Sequence, residues 1–382
     1  MDRALYLSAL LLFISGVCEG RSDKPPFVIC TVGSTLWAGG QSGAGESGQD
    51  FEPEDLNAQY CDHFLFLIKG FEFIHETGGT VTHRQRIRND FIAKGVSLRE
   101  GPLGMQVMAY INLDHPHVML PDTDKKIEGL VGHIVQFLKS HSLNGLCISS
   151  NDLADGKASR YLKLLKALRL PFSKEGLLLS PSLPPKHLSV YTDGELADIM
   201  SLANYILVDS GYEWDASSKH VTGLHAPVSA MNSTVRWYES RGVPRQMMVP
   251  MVNLVGVTAK LKNKDQAGLG AAIYGPGFEA PNSFNGDGVI PASEMLRRLK
   301  KTEERWAVKR DVASNLPYAA NRDGLWVSYE DPSSMRTKAK FIQENGLAGG
   351  MLMTVEMDDF RGTAGKGRYP LISAYAEKRR RS

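Results

Sequence analysis

Short apolar segments recur along the whole chain and alternate with segments that have a helical pattern. Eight of them have the length and composition of buried strands, at 27–30, 64–68, 105–111, 145–148, 177–179, 205–208, 247–251 and 351–355. Between them, apolar residues at three- and four-residue spacing predict amphipathic helices, as at 127–138 and 159–170. This alternation is typical of an α/β fold with a parallel sheet. Eight strands predict a closed (β/α)8 barrel that is coated by the helices.

Two stretches interrupt the alternation. Turns that contain Gly and Pro replace the repeat between about 256 and 323, which predicts an inserted segment. A Gly/Ser-rich stretch at 38–48 predicts a flexible loop after the first strand. In a (β/α)8 barrel, the loops that follow the strands lie on the face where sites are built.

The N-terminal residues have the pattern of a secretory signal peptide. Arg3 precedes a short apolar stretch, and small residues occupy the −3 and −1 positions of a cut after Gly20. The stretch is short for a membrane span, which needs about 20 residues, and no later segment is long and apolar enough. We therefore expect a secreted, extracellular protein without a membrane span.

Secretion changes what the cysteines and the sequon predict. Cys18 leaves with the signal peptide, so Cys30, Cys61 and Cys147 remain in an oxidising compartment. One disulfide and one free thiol is the simplest arrangement. Asn232 begins the Asn-Ser-Thr sequon, and we expect a glycoprotein if that asparagine lies on the surface.

The overall charge excludes some partners. The formal net charge of +2 gives no indication of nucleic acid binding. A basic tail at 377–382 is expected to be a solvated end, with polyanion binding or proteolytic processing as the alternative.

Several segments carry a resemblance to a known family. They are GLAGGMLMTVEMDDF at 346–360, WVSYEDPSS at 326–334 followed by Lys338, TGLHAP at 222–227, WYESRGVP at 237–244 and GPG at 275–277. In sequence and order they resemble glycoside hydrolase family 18, the chitinases and chitinase-like lectins. The resemblance implies a TIM barrel with a small α+β insertion before the eighth strand, and it implies neither a cofactor nor a metal.

The resemblance and the pattern together predict the domain organisation and one disulfide. We expect a signal peptide at 1–20, barrel strands one to seven within 21–255, the insertion at 256–323, the end of the barrel at 324–376 and the tail at 377–382. The family commonly joins a cysteine on the first strand to one that opens the second, where Cys30 and Cys61 stand. By closing the loop between these two cysteines, the bridge would stabilise the folded protein by roughly 3 kcal/mol in the chain-entropy model.

The catalytic motif of the family is replaced here. Family chitinases carry Asp-Gly-x-Asp-x-Asp-Trp-Glu at the end of the fourth strand, whereas this chain has NGLCISSN, with Asn144, Cys147, Ser149 and Asn151 at the carboxylate positions. The family Glu protonates the leaving sugar oxygen, and the middle Asp holds the acetamido group that acts as the nucleophile. Losing general acid catalysis costs about 10²–10⁴-fold in rate. The sequence therefore predicts a pseudoenzyme without catalytic residues.

Other acids and the new cysteine have ordinary interpretations. Asp152 and Asp155 follow the motif, but strand alternation turns Asp152 away from the lumen, so both are expected in caps or loops. Three further acids at the predicted rim stay open as alternatives, although they lack the family spacing to a general acid: Asp209, Glu213 and Glu356. Cys147 is expected to fill space, because a reactive thiol needs an adjacent base or positive field.

Glycan binding is a separate question because sugar rings stack on aromatic faces. Met353 stands where the family has its central Trp and is therefore a candidate ligand contact, whereas Leu113 and Leu254-Val255 replace further family aromatics. Four other aromatic residues near predicted strand ends are candidates for a different platform, with core packing as the alternative for each: Trp37, Tyr110, Tyr212 and Trp214. Asn151 is a candidate for a hydrogen bond to a sugar hydroxyl.

Two functions remain open from the sequence, besides residual chitinase activity. One is a lectin-like binder of chitooligosaccharide or another glycan. The other is a secreted factor that binds an extracellular protein partner on a degenerate chitinase scaffold, since a fold does not fix a function.

Overall fold

The computed structural model describes residues 26–33, 51–68, 73–75, 81–83, 89–99, 104–113, 120–150, 153, 156–183, 189–210, 214, 216–278 and 288–377. The predicted signal peptide, the glycine-rich stretch and the basic tail after Glu377 lie outside these residues. No helix in the described part of the chain is long and apolar enough to cross a membrane.

The described residues contain sixteen strands. They are β1 Phe27–Val32, β2 His63–Ile68, β3 Phe73–His75, β4 Val81–His83, β5 Gln106–Asn112, β6 Gly145–Ser149, β7 Leu178–Leu183, β8 Ile206–Val208, β9 Met248–Asn253, β10 Val255–Leu261, β11 Ile273–Pro276, β12 Val289–Pro291, β13 Ala307–Arg310, β14 Pro317–Ala320, β15 Leu325–Ser328 and β16 Gly349–Met353.

Eight helices accompany them in the same residues. They are α1 Asn89–Arg99, α2 Asp124–Ser140, α3 Lys157–Glu175, α4 Asp193–Leu202, α5 Val228–Ser240, α6 Ala292–Arg298, α7 Pro332–Glu344 and α8 Pro370–Ala376. The amphipathic segments predicted at 127–138 and 159–170 fall inside α2 and α3.

Eight of the strands close into a barrel in the order β1-β16-β9-β8-β7-β6-β5-β2, and every neighbouring pair is parallel. Each of the eight apolar runs contributes one of these strands, so the predicted closed parallel barrel is confirmed. The runs form strands because both of their faces are buried, one against the helices and one in the lumen.

Strand alternation divides the core into two layers. On β1, Val28 and Cys30 face the helix layer, whereas Ile29 belongs to the lumen. The lumen is a packed core and not a pore. Its fully or nearly fully buried members are Ile29, Leu65, Met108, Cys147, Tyr205, Leu207, Val249 and Met351.

An antiparallel sheet lies in the chain between the barrel strands β9 and β16. Its strands follow the order β11-β10-β15-β14-β13, and β12 pairs with β10. One face packs on Met295 of α6, and the other packs on Trp214. This sheet occupies the region where the sequence predicts an insertion; the predicted boundaries at 256 and 323 stay a prediction.

A disulfide joins Cys30 of β1 to Cys61, which stands two residues before β2, with 5.7 Å between the Cα atoms. It is the bridge that the resemblance implies. Cys147 is free and buried.

Candidate functional site

The C-terminal ends of the barrel strands define the candidate site, and β6 carries the segment of the degenerate motif. Cys147 and Ser149 share the lumen side of β6 because they are two positions apart on the strand. Asn144 precedes the strand, about 16 Å from Ser149 along an extended chain. The three residues therefore do not form one cluster.

Asn144 has a structural role at the N-terminal end of β6. Its side-chain oxygen accepts the backbone N–H of Val107 at 2.8 Å and a hydrogen bond from Arg99 at 3.2 Å. Its own N–H donates to the Val107 carbonyl at 2.7 Å. Asn144 thus extends the pairing of β5 and β6 at the end of the barrel opposite the rim.

Cys147 lies in the middle of the lumen. Its Sγ atom is 4.0 Å from the hydroxyl of Tyr205, and that hydroxyl donates to the sulfur of Met108 at 3.1 Å. Burial raises the pKa of the Cys147 thiol to about 12 and also raises the pKa of Tyr205. Both groups are therefore neutral at physiological pH, and the thiol has little nucleophilic character.

Ser149 and Tyr110 form the next layer toward the rim. The Tyr110 hydroxyl donates to the Ser149 hydroxyl at 2.8 Å, which holds the half-buried phenol ring against the barrel wall. Met353, at the end of β16, packs like Tyr110 on the apolar lumen core. Of the predicted ligand-binding residues, the structure thus brings Tyr110 and Met353 to the lumen; Trp37, Asn151 and Tyr212 lie outside the described residues.

Trp214 packs in a core. Its ring is 6% exposed, meets Trp326 edge-on at 5.4 Å between centroids, and donates its N–H to the Val221 carbonyl at 2.8 Å. A Cβ atom on Gly223 would stand 2.6 Å from this ring, so a glycine is needed there. Trp214 therefore has the core-packing role that the sequence left open as the alternative to ligand binding, and almost none of its ring is accessible to a sugar.

Glu356 is the acid that follows β16. It is nearly buried, and a Cβ atom on Gly33 would stand 2.5 Å from its Oε1 atom. Glu356 thus lies against the end of β1. In the barrel order, β16 and β6 are separated by three strands on each side, so Glu356 and Ser149 lie on opposite sides of the rim.

The sequence missed three polar residues on the Glu356 side of the rim. Within the described residues, no hydrogen-bond partner is found for Thr31 Oγ1, Asn253 Nδ2 or Thr354 Oγ1, although all three atoms are buried. They stand at or just after the ends of β1, β9 and β16, which are neighbouring strands. In the sequence, each of them is a polar residue at the end of an apolar run, which is the signal that could have identified it as a rim residue.

The structure also places the sequon asparagine. Asn232, the sequon asparagine, lies half-buried on helix α5, and Ser233 beside it is exposed. In the described part of the chain, no group of three or more His, Cys, Asp or Glu side chains is arranged to hold a metal ion.

The chain is similar to chitinases and chitinase-like proteins over most of its length. It is 24% identical to human chitinase-3-like protein 2 over 351 residues, which cover 85% of this chain and 86% of that protein. It is 26% identical to the probable chitinase 10 of Drosophila melanogaster over 385 residues, which cover 92% of this chain but only 16% of that protein.

Solved structures share its fold. Catalytic domain 2 of the Ostrinia furnacalis group II chitinase has a TM-score of 0.77 at 23% identity, covering 93% of this chain and 97% of that domain. Human YKL-39, described as a pseudo-chitinase with retained chitooligosaccharide binding properties, has a TM-score of 0.77 at 21% identity, covering 94% of this chain and all of that one (100%).

The family model decides the assignment. The model described as glycosyl hydrolases family 18 matches residues 117–358, which is more than half of the chain. This match includes strands β6 to β16 and therefore the rim residues from Ser149 to Glu356. The chain belongs to glycosyl hydrolases family 18.

Proposed function

We propose that this protein is a secreted chitinase-like protein that binds chitooligosaccharide or a related glycan and does not hydrolyse it. The observation that carries the proposal is the neutral character of β6, where the lumen side presents Cys147 and Ser149. The disulfide between Cys30 and Cys61 supports secretion, because such bonds persist in oxidising compartments.

Hydrolysis with an acetamido nucleophile needs a carboxylic acid that protonates the leaving oxygen. The thiol of Cys147, with its pKa raised to about 12 by burial, holds its proton too tightly for this role at neutral pH. A serine hydroxyl at position 149 is a still weaker acid. The amide of Asn151, at the position that matches the family acid, carries no transferable proton.

Glu356 does not replace the missing acid in this proposal. A general acid must stand within hydrogen-bond reach of the leaving oxygen, on the side where the motif holds the acetamido group. Glu356 stands across the rim from β6. Asp209 follows β8, two strands away from β6, and therefore does not occupy the position of the family acid.

Binding is supported by the polar and apolar groups that the rim retains. Thr31, Asn253 and Thr354 each have a buried polar atom without a hydrogen-bond partner within the described residues, and a sugar hydroxyl or acetamido group has the complementary donors and acceptors. The half-buried ring of Tyr110 and the thioether chain of Met353 give apolar area for a sugar face. All of these groups are uncharged, as is chitooligosaccharide. Human YKL-39, with a TM-score of 0.77 to this chain, is described as combining pseudo-chitinase character with chitooligosaccharide binding.

Calorimetric titration of the mature protein with chitohexaose, followed by mass spectrometry of the same sample, tests both parts of the proposal. We expect heat of binding and intact hexamer. Cellohexaose, which lacks acetamido groups, is the matched control ligand. Released shorter oligomers contradict the absence of hydrolysis, whereas no heat with chitohexaose contradicts glycan binding.

Variants locate the site. Asn253→Ala and Tyr110→Ala are expected to weaken chitohexaose binding by about tenfold each, which corresponds to one lost hydrogen bond or stacking contact. Lys309→Ala, on the exposed strand β13, is the control and is expected to bind like the wild type. Equal binding by all variants excludes the barrel rim as the site.

A further inference from the structure

The antiparallel sheet has an exposed apolar surface at its β11 edge. Tyr274 is 70% exposed, and Val221 and Leu269 are 45% and 43% exposed. Val221 forms an antiparallel bridge with Ala272, and the N–H of Ile273 donates to the carbonyl of His220 at 3.0 Å. The segment before Thr222 therefore extends the sheet beyond β11.

Alternation places Val221 and Tyr274 on one face, and the exposed Leu269 stands beside them in a loop whose Gly268 and Gly270 both hydrogen-bond Thr222. Ile273 of β11 pairs with Leu261 of β10, and both are buried on the face that packs on Trp214. Ala272 and Tyr274 therefore point to the opposite face, with Lys260 of β10; the ladder has a register shift between Lys260 and Leu261, so Tyr274 stands in a bulge there. Lys262 directly follows β10. The Lys262 ammonium stands 5.9 Å from the centroid of the Tyr274 ring, which confirms that the two side chains share this face.

Helix α6 covers only the other end of this face. Met295 of α6 packs on Ile290 and Val327, whereas Lys260, Lys262 and Tyr274 are exposed. We call the uncovered surface the β11 surface and define it by Val221, Lys260, Lys262, Leu269, Ala272 and Tyr274. Single exposed apolar side chains are ordinary on proteins, but a group of them in one place is typical of an interaction site.

The charge around the β11 surface is mainly positive. Lys219 and Lys264 are exposed in the adjoining segments, and together with Lys260 and Lys262 they make four lysines. In the described part of the chain, none of the four forms an ion pair. Asp265 is the one acidic residue within 216–223 and 255–278. The surface therefore has a positive potential that attracts an acidic partner.

We propose that the β11 surface docks a protein segment in which acidic residues flank an apolar side chain. The apolar side chain packs on Tyr274, Val221 and Leu269, and the carboxylates pair with Lys260 and Lys262. A protein segment fits better than a sulfated glycan, because it supplies apolar area as well as negative charge. Aromatic side chains are enriched at protein interfaces, and the rim of an interface is polar. This function is independent of glycan binding at the barrel rim.

Selection from a phage library of random short peptides tests the proposal. The wild-type mature protein is the bait, and the double variant Lys260→Glu/Lys262→Glu removes peptides that bind elsewhere. We expect enriched peptides with Asp or Glu on both sides of Leu, Phe or Tyr. Their affinity, measured by fluorescence anisotropy, is expected to fall about tenfold or more with the double variant and with Tyr274→Ala.

Lys309→Glu is the matched charge control, since Lys309 is exposed on β13 at the opposite edge of the same sheet. Thermal melts followed by circular dichroism show whether the exposed substitutions leave the fold unchanged. Three outcomes would each overturn the proposal. In the first, the enriched peptides lack acidic residues; in the second, Lys309→Glu lowers peptide affinity as much as the double variant does. The third is that no peptide is enriched while a sulfated oligosaccharide binds through these lysines. Chitohexaose binding stays unchanged in the Tyr274 variant if the two sites are independent.

Discussion

Replacing Lys338 by methionine removes one half of a buried ion pair. Lys338 of α7 contacts Glu330, and the two side chains are 3% and 0% exposed. The Ser334 hydroxyl donates to the second carboxylate oxygen of Glu330 at 2.6 Å, and His225 Nε2 lies 3.5 Å from the first. The cluster links α7 and the end of β15 to the loop that precedes α5.

The expected cost follows from this geometry. Removing one partner of a buried pair leaves an uncompensated charge and typically costs about 3–5 kcal/mol. The hydrogen bond from Ser334 remains, so we expect the lower end of this range, about 3 kcal/mol, for Lys338→Met at pH 8. The double variant Glu330→Gln/Lys338→Met has no buried charge, and we expect it to be within about 1 kcal/mol of the wild type.

His225 makes the cost depend on pH. Burial, and then the charge of Lys338, hold the pKa of His225 well below its ordinary value, so the ring is neutral. Without Lys338, the lone Glu330 carboxylate favours a protonated His225 as a substitute cation. The native state of Lys338→Met then binds a proton more readily than the wild type does. The cost of the substitution should therefore be smaller at pH 5.5 than at pH 8.

Urea denaturation followed by circular dichroism measures these free energies of unfolding. Lys340→Met is the matched control on the same helix, because Lys340 faces Glu344 at 3.6 Å in an exposed pair. Such a pair contributes about 0–1 kcal/mol. Equal destabilisation by the Lys338 and Lys340 variants would refute the reasoning, and so would a double variant that is as unstable as Lys338→Met.

Three further variants test other parts of the fold. Burial raises the pKa of Asp358 from 3.8 to about 7, so the stability that its proton contributes is complete below pH 4 and is lost as the pH rises through 7. The stability advantage of the wild type over Asp358→Asn should therefore shrink between pH 4.5 and pH 7.5. A difference in denaturation midpoint that stays constant over this range would contradict the prediction. The Cys30→Ser/Cys61→Ser variant removes a loop closure of 31 residues and should cost about 3–4 kcal/mol in urea, whereas unchanged stability means that the unfolded chain is constrained by other means. Cys147→Asp places a carboxyl group in the apolar lumen and should destabilise the protein by about 2 kcal/mol or more relative to Cys147→Ser; a Cys147→Asp protein as stable as Cys147→Ser would show that the lumen accommodates the charge.

The barrel was predictable because its strands are buried on both faces. An apolar run as short as the one that forms β2 indicates a buried strand by its length, and the amphipathic pattern of α2 identifies the covering helix. The antiparallel sheet was predictable only as a region where the alternation of strands and helices is interrupted. Most of its strands have three or four residues, and β13 is exposed along its whole length, so periodicity carries little signal there.

The site residues were harder to place because their roles depend on tertiary contacts. Asn144 belongs to the aligned motif, yet its bond to Val107 at the far end of β6 follows from the strand register. Trp214 stands near a strand end in the sequence, but the loop folds under the sheet and buries it against Trp326. Asn253 is one polar residue at the end of a strand, and spacing alone does not distinguish it from a solvated strand end.

The rim and the β11 surface differ in their physical chemistry, and this difference separates the two proposed functions. The described lumen side of β6 presents a neutral thiol and a hydroxyl, so recognition at the rim rests on hydrogen bonds and apolar contact. The β11 surface presents lysines around Tyr274, so recognition there has a large electrostatic component. Added salt screens interactions between exposed charges but has little effect on hydrogen bonds to an uncharged sugar. Salt therefore weakens the docking of an acidic segment while leaving glycan binding almost unchanged, which allows each function to be measured in the presence of the other.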